Sequence, residues 1–191
     1  MRKIISASAS VILTALTLAS CSLKYEEGVN IEDRMPELIF TNADLTRYKD
    51  GKLSMELKAE KVEQYKDNGS TYARNPEFST WDANNNLDTT GSCSLLSVNS
   101  KENVYMLFSD ILINNSSNDV EIHAQNLRFN GNTKQLTAGM AEEVEIMREG
   151  LTLIGTGFSA SGISNSFSFS GGISGTLITE DAQEADGEVS E

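Results

Sequence analysis

The sequence predicts an all-β fold of short antiparallel strands, and three observations carry that prediction. Apolar and polar residues alternate along Val120–Gln125, with Val120, Ile122 and Ala124 on one face and Glu121, His123 and Gln125 on the other. Turn residues break such runs at intervals of roughly eight to twelve residues, the rhythm of antiparallel sandwiches and barrels. Proline occurs only at Pro36 and Pro76, which suits long ladders that need every backbone N–H.

Order begins at Leu38-Ile39-Phe40, and Asp44–Tyr48 forms a first strand. Lys49-Asp50-Gly51-Lys52 is a hairpin signal. Leu53–Tyr65 is rich in helix formers, yet Leu53, Met55, Leu57 and Ala59 keep period two, so it reads as a strand. Lys66–Gly69 is a turn, Thr71–Trp81 carries Tyr72, Phe78 and Trp81, and Asp82–Asn86 is a polar turn. Leu87–Gly91 and Ser94–Val98 are short strands. Val104–Ile113 is the most apolar run beyond the leader. Its shortness, and its bounds at Asn103 and Asn114-Asn115-Ser116, favour a central strand over a buried helix. After the Val120 strand come a turn at Asn130-Gly131-Asn132 and then Leu136, Ala138 and Met140. Val144 and Ile146 follow, then a turn at Glu149-Gly150, then Leu151 and Leu153. Gly155 and Gly157 precede Phe158, and Phe167 and Phe169 begin the last strand.

Met55–Val62 and Val120–Leu127 match position for position in apolar character, and Gly91 and Gly155 follow at nearly the same offset. Such an echo points to a coiled sheet of similar units. In both copies the next apolar residue (Val62, Leu127) stands three places after the alanine (Ala59, Ala124). A bulge there would bend the strand.

The 191 residues suffice for one domain plus tails, and the formal charge of −13 argues against nucleic acid as a partner. Residues 1–20 read as a signal peptide: basic Met1-Arg2-Lys3, an apolar run from Ile4 to Leu18, and small residues before Cys21. Leu18-Ala19-Ser20-Cys21 resembles a bacterial lipobox, in which Cys21 is acylated after cleavage; an ordinary secretory signal beside a cysteine is the alternative. Residues 21–36 form a polar tether, 37–179 the β domain and 180–191 a solvated acidic tail.

No catalytic constellation is present. One histidine leaves neither a histidine-based zinc cluster nor a triad. Gly157-Phe158-Ser159-Ala160-Ser161 is no nucleophile elbow, and no phosphate-binding loop occurs. His123 falls on the polar face of its strand and reads as exposed. Asp110 and Asp119 read as surface residues rather than a calcium site. Cys93, beside Leu95 and Leu96, reads as a buried, inert thiol. The expectation is a non-enzymatic protein with no metal and no cofactor.

The ordered set Val120–Phe129, Gln135–Gly139, Val144–Ile146 with Gly150–Phe158, and Phe167–Thr176 is similar to the C-terminal half of LptC, the periplasmic component of lipopolysaccharide export, and to the related LptA proteins. The resemblance spans roughly Leu38–Leu177. It implies an open, twisted antiparallel β-jellyroll with a greasy interior. It implies lipopolysaccharide or a related glycolipid as cargo, an inner-membrane ABC transporter (LptBFG-like) as donor and an LptA-like protein as acceptor. The periplasm is the expected location, with anchoring to the inner membrane through acylated Cys21. Familiar LptC proteins use a transmembrane helix instead, and that departure leaves an outer-membrane destination open.

The groove candidates are Leu57, Ala59, Ile122, Ala124, Leu127, Phe129, Leu136, Ala138, Val144, Ile146, Leu153 and Phe158; the alternative is that they pack a closed sandwich core. The terminal strands are the expected docking edges, Asp44–Tyr48 toward the transporter and Phe167–Leu177, with Phe167, Phe169, Ile173 and Leu177, toward the next jellyroll. The competing functional reading is a structural or adhesive β-rich lipoprotein at the surface or in the periplasm.

Overall fold

The computed structural model describes residues 35–66, 69–163 and 166–178. These hold fourteen strands and no helix. β1 (Leu38–Lys49) and β2 (Lys52–Gln64) form a long hairpin. Its turn holds Asp50 and Gly51 at φ 52° and 75°, the two left-handed residues that match the twist of the flanking strands. Then come β3 (Ser70–Arg74), β4 (Glu77–Trp81), β5 (Leu87–Ser92) and β6 (Leu95–Asn99). β7 (Val104–Asn115) and β8 (Val120–Asn130) are a second long hairpin. β9 (Gln135–Thr137), β10 (Glu143–Arg148), β11 (Leu151–Thr156), β12 (Phe158–Ser161), β13 (Ser166–Phe169) and β14 (Ile173–Leu177) complete the chain.

All pairings are antiparallel, and the long strands divide them between two layers. β2 gives its first half to β4 and its second to β3. β7 pairs with β6 and then β5, and β8 with β10 and then β9. One layer therefore runs through β4, β5, β10, β11 and β14, the other through β3, β6, β9, β12 and β13, with β1, β2, β7 and β8 shared. This is an all-β antiparallel arrangement consistent with the jellyroll that the family resemblance implies.

The internal echo is a repeat of this scheme. β2 leads to β3–β6 in one layer and β4–β5 in the other, and both arms end on β7. β8 leads to β9–β12 and β10–β11, and the arms end on β13 and β14. Leu57 and Ile122, Ala59 and Ala124, Val62 and Leu127 are all buried. Gly91 and Gly155 are not equivalent within the repeat. Gly91 pairs with Phe78, which pairs with Leu57; Gly155 pairs with Val144, which pairs with Ala124, two residues farther along.

The strands bend where they pass between layers, but not by the device the spacing suggests. Along β1–β2 the register runs unbroken from Phe40↔Val62 to Ala43↔Ala59, and Asn42 at φ 50° supplies the turn. Along β7–β8 there is a bulge, and its extra residue lies on β7. Phe108 pairs with Asn126 and Ile111 with Ala124, while Ser109 and Asp110 both have positive φ.

Several elements depart from the sequence expectation. β1 starts at Leu38, six residues before Asp44, because the left-handed Asn42 interrupts its alternation. Thr71–Trp81 is two strands in different layers, parted at Asn75 (φ 46°) and Pro76, which has no N–H to offer a ladder. Of the Leu136–Met140 run only Leu136 and Thr137 pair as strand, within β9, and Met140 is exposed. Phe167–Leu177 is also two strands, one to each layer, separated by Ser170-Gly171-Gly172. The tether up to residue 34 and the tail from residue 179 lie outside the described residues.

The inward faces of both layers meet in one core. Val144, Ile146 and Phe158 are at most 1 % exposed, and burial of each such side chain contributes about 1.5–3 kcal/mol.

Candidate functional site

The two layers bring all twelve interior candidates to the space between them. Leu57, Ala59, Ile122, Ala124, Leu127, Val144, Ile146 and Phe158 join one buried cluster. Leu136 and Ala138 pack against it, and Phe129 and Leu153 are half-buried. Period two puts them there: Ile122 and Ala124 point in because Glu121 and His123 point out. In this conformation the middle of the interior is packed side chain against side chain. An open part lies at the C-terminal edge, a shallow depression of about 260 Å³ lined by Leu151, Leu153, Ile173, Gly175 and Leu177, with Ser174 and Thr176 at its rim.

Each layer ends in the same way. On one side β1 pairs, among the described residues, with β2 alone. It exposes Leu38, Ile39, Phe40, Leu45 and Tyr48. On the other side β13 pairs with β12 and β14 with β11, so each leaves one edge without a strand among the described residues. Phe167, Ile173, Leu177 and Ile178 are exposed there. Phe169 differs from its predicted companions in being half-buried against the core, its ring centroid 5.6 Å from that of Phe158 and 6.2 Å from that of Phe167.

Sheet edges are ordinarily protected by charge, proline or a covering element. The C-terminal edge has no charged residue from Leu151 to Ile178. That absence was legible in the sequence and marks the edge more sharply than alternation does. Leu38, Ile39 and Phe40 extend the N-terminal edge beyond the expected Asp44–Tyr48.

The remaining polar candidates stay apart from the interior. His123 is on the outward face and partly covered, with Nε2 2.6 Å from Glu121 Oε1. That contact holds the Glu121 carboxyl below its ordinary range. Asp110 sits in the β7 bulge, where its carboxylate accepts from Ser94 Oγ at 3.1 Å, and Asp119 lies in the turn before β8. Cys93 is free and buried, and desolvation pushes its thiol up.

Residues 7–177 match the model of a protein family described as Lipopolysaccharide-assembly, LptC-related. The chain belongs to the LptC-related family. No curated protein matches it. LptC-related proteins serve lipopolysaccharide transport as components of the Lpt machinery, in the periplasm and in association with the inner membrane. Cys21, the expected acylation site, lies outside the described residues.

Proposed function

We propose that this LptC-related protein receives lipopolysaccharide or a related glycolipid from an inner-membrane ABC transporter of the LptBFG kind and passes it to an LptA-like protein. The β1 edge meets the donor and the β13–β14 edge meets the acceptor, each by strand addition. One observation carries the reading: a single apolar interior is bounded by two edges that no strand among the described residues covers, both with exposed apolar side chains. Strands added at either side would extend both layers and carry the interior from one protein into the next.

The energetics favour this route. An acyl chain of about a dozen methylenes in water costs on the order of 10 kcal/mol, at about 0.8 kcal/mol each. Parting the packed layers exposes apolar surface, and the incoming chain covers it again. The interior therefore opens only when lipid fills it. Cargo direction comes from ATP hydrolysis at the transporter.

Cys21 is the proposed anchor. Two or more acyl chains on it would hold the protein on a membrane almost irreversibly, the inner membrane being the site the donor requires. Metabolic labelling with an alkyne fatty acid should tag the full chain and not Cys21→Ser.

The partner assignments are tested by photoreactive residues placed in cells at Phe129 and at Ile173. Phe129 should give a glycolipid adduct and Ile173 an adduct with the LptA-like protein. Labelled protein without either adduct, together with cleavage by protease added to intact cells, would favour the adhesive reading instead.

A further inference from the structure

We infer that the Phe169 ring is a gate between the packed interior and the open C-terminal mouth, an inference that rests on the lipid-transfer reading above. Phe169 ends β13 in one layer, and Gly155 lies on β11 in the other. The ring lies across the glycine. A β-carbon on Gly155 would stand 2.7 Å from Phe169 Cδ1, closer than side chains approach, and 3.0 Å from both its Cγ and the Gly172 carbonyl oxygen. Gly155 is thus a seat that only a residue without a side chain provides.

The ring has different surroundings on its two sides. Toward the core it meets Phe158, which is 1 % exposed. Toward the edge, Gly155 pairs with Ile173, and Ile173 and Leu153 line the depression. A chain moving from the core to the β13–β14 edge therefore passes between Phe169 and Gly155.

The internal repeat shows what is special about this position. Leu107 pairs with Leu96 on β6 as Phe169 pairs with Phe158 on β12. Leu107 is also paired on its far side, with Leu127 of β8. Among the described residues no strand covers the far side of Phe169. The link after Phe169 is Ser170-Gly171-Gly172, where the first half of the repeat has the Ser109-Asp110 bulge. The ring can turn about its own side-chain bonds while Gly171 N donates to Thr156 O and Thr156 N to Gly172 O, both at 3.1 Å. Phe167 packs edge-on against the gate at 78°, so a strand added to this edge touches the gate's neighbour.

The test uses the full chain in cells, with a photoreactive residue at Ile122 (inside the gate) or at Leu153 (at the mouth), and reads the ratio of glycolipid adduct at Leu153 to that at Ile122. Phe169→Ala removes the gate, and Gly155→Ala unseats the ring while keeping it. Both should raise the ratio several-fold over the otherwise unaltered chain. An unchanged ratio in variants that still label at Ile122 overturns the gate and leaves the lipid-transfer reading standing. Loss of all adduct at Ile122 in the chain without gate substitutions overturns that reading, and the gate with it. Should Phe169→Ala fail to accumulate, Gly155→Ala decides alone.

Discussion

Gly91 lies beneath the ring of Phe78, its cross-strand partner in the β4–β5 pair. A β-carbon on Gly91 would be 2.4 Å from Phe78 Cζ and 2.8 Å from the carbonyl oxygen of Leu112. The ring could move aside but the backbone oxygen could not. Gly91→Ala should therefore cost about 1–3 kcal/mol in stability, as overpacking does, measured by urea denaturation. A midpoint equal to that of the unaltered protein would contradict the packing described.

Ile146 is 1 % exposed and faces Ile122 across the β8–β10 pair and Leu153 across β10–β11. Ile146→Ala should lower stability by about 2–5 kcal/mol. The same unfolding experiment reads it. A loss well under that range would show that the interior is loose even without lipid.

Asn42 adopts φ 50° where β1 bends between the layers. A β-branched residue resists that conformation, and glycine does not. Asn42→Val should destabilise by about 1–2 kcal/mol and Asn42→Gly by little. Equal midpoints for the two variants would mean that the bend does not depend on the left-handed residue.

Burial pushes the Cys93 thiol up, against weaker opposing backbone hydrogen bonds at Phe108 and Leu95. The unfolded thiol ionises at lower pH than the folded one. The stabilisation from keeping it neutral is present below the ordinary thiol range, about 8.5, and is lost as pH rises through the folded value. Cys93→Ala should flatten the decline of stability in that alkaline window. Native protein should resist iodoacetamide at pH 8 and react once unfolded. Rapid labelling of the native thiol would contradict its burial.

Much of this was legible in the residues. Alternation placed Leu57, Ile122, Val144 and Ile146 inward correctly, and the Asp50-Gly51 turn fell where the hairpin signal put it. The layer switches were harder to read, because they depend on single backbone conformations. Nothing in the side-chain pattern announces that Asn75 and Pro76 carry the chain from one layer to the other, or that Ser109 and Asp110, rather than the strand they face, hold the bulge. Phe169 was legible as an apolar edge residue but not as one half-buried against the core, since its seat at Gly155 is far off in sequence and in the opposite layer.

In the proposed transfer route, acyl chains enter between the two layers. Ile122 and His123 are adjacent on β8 and face opposite ways, Ile122 into the buried cluster and His123 outward beside Glu121. Photoreactive residues at each, in living cells, test the claim most directly. Ile122 should give a lipopolysaccharide adduct and His123 none. Equal labelling from both positions, or none from Ile122 in a protein that accumulates normally, would contradict that route.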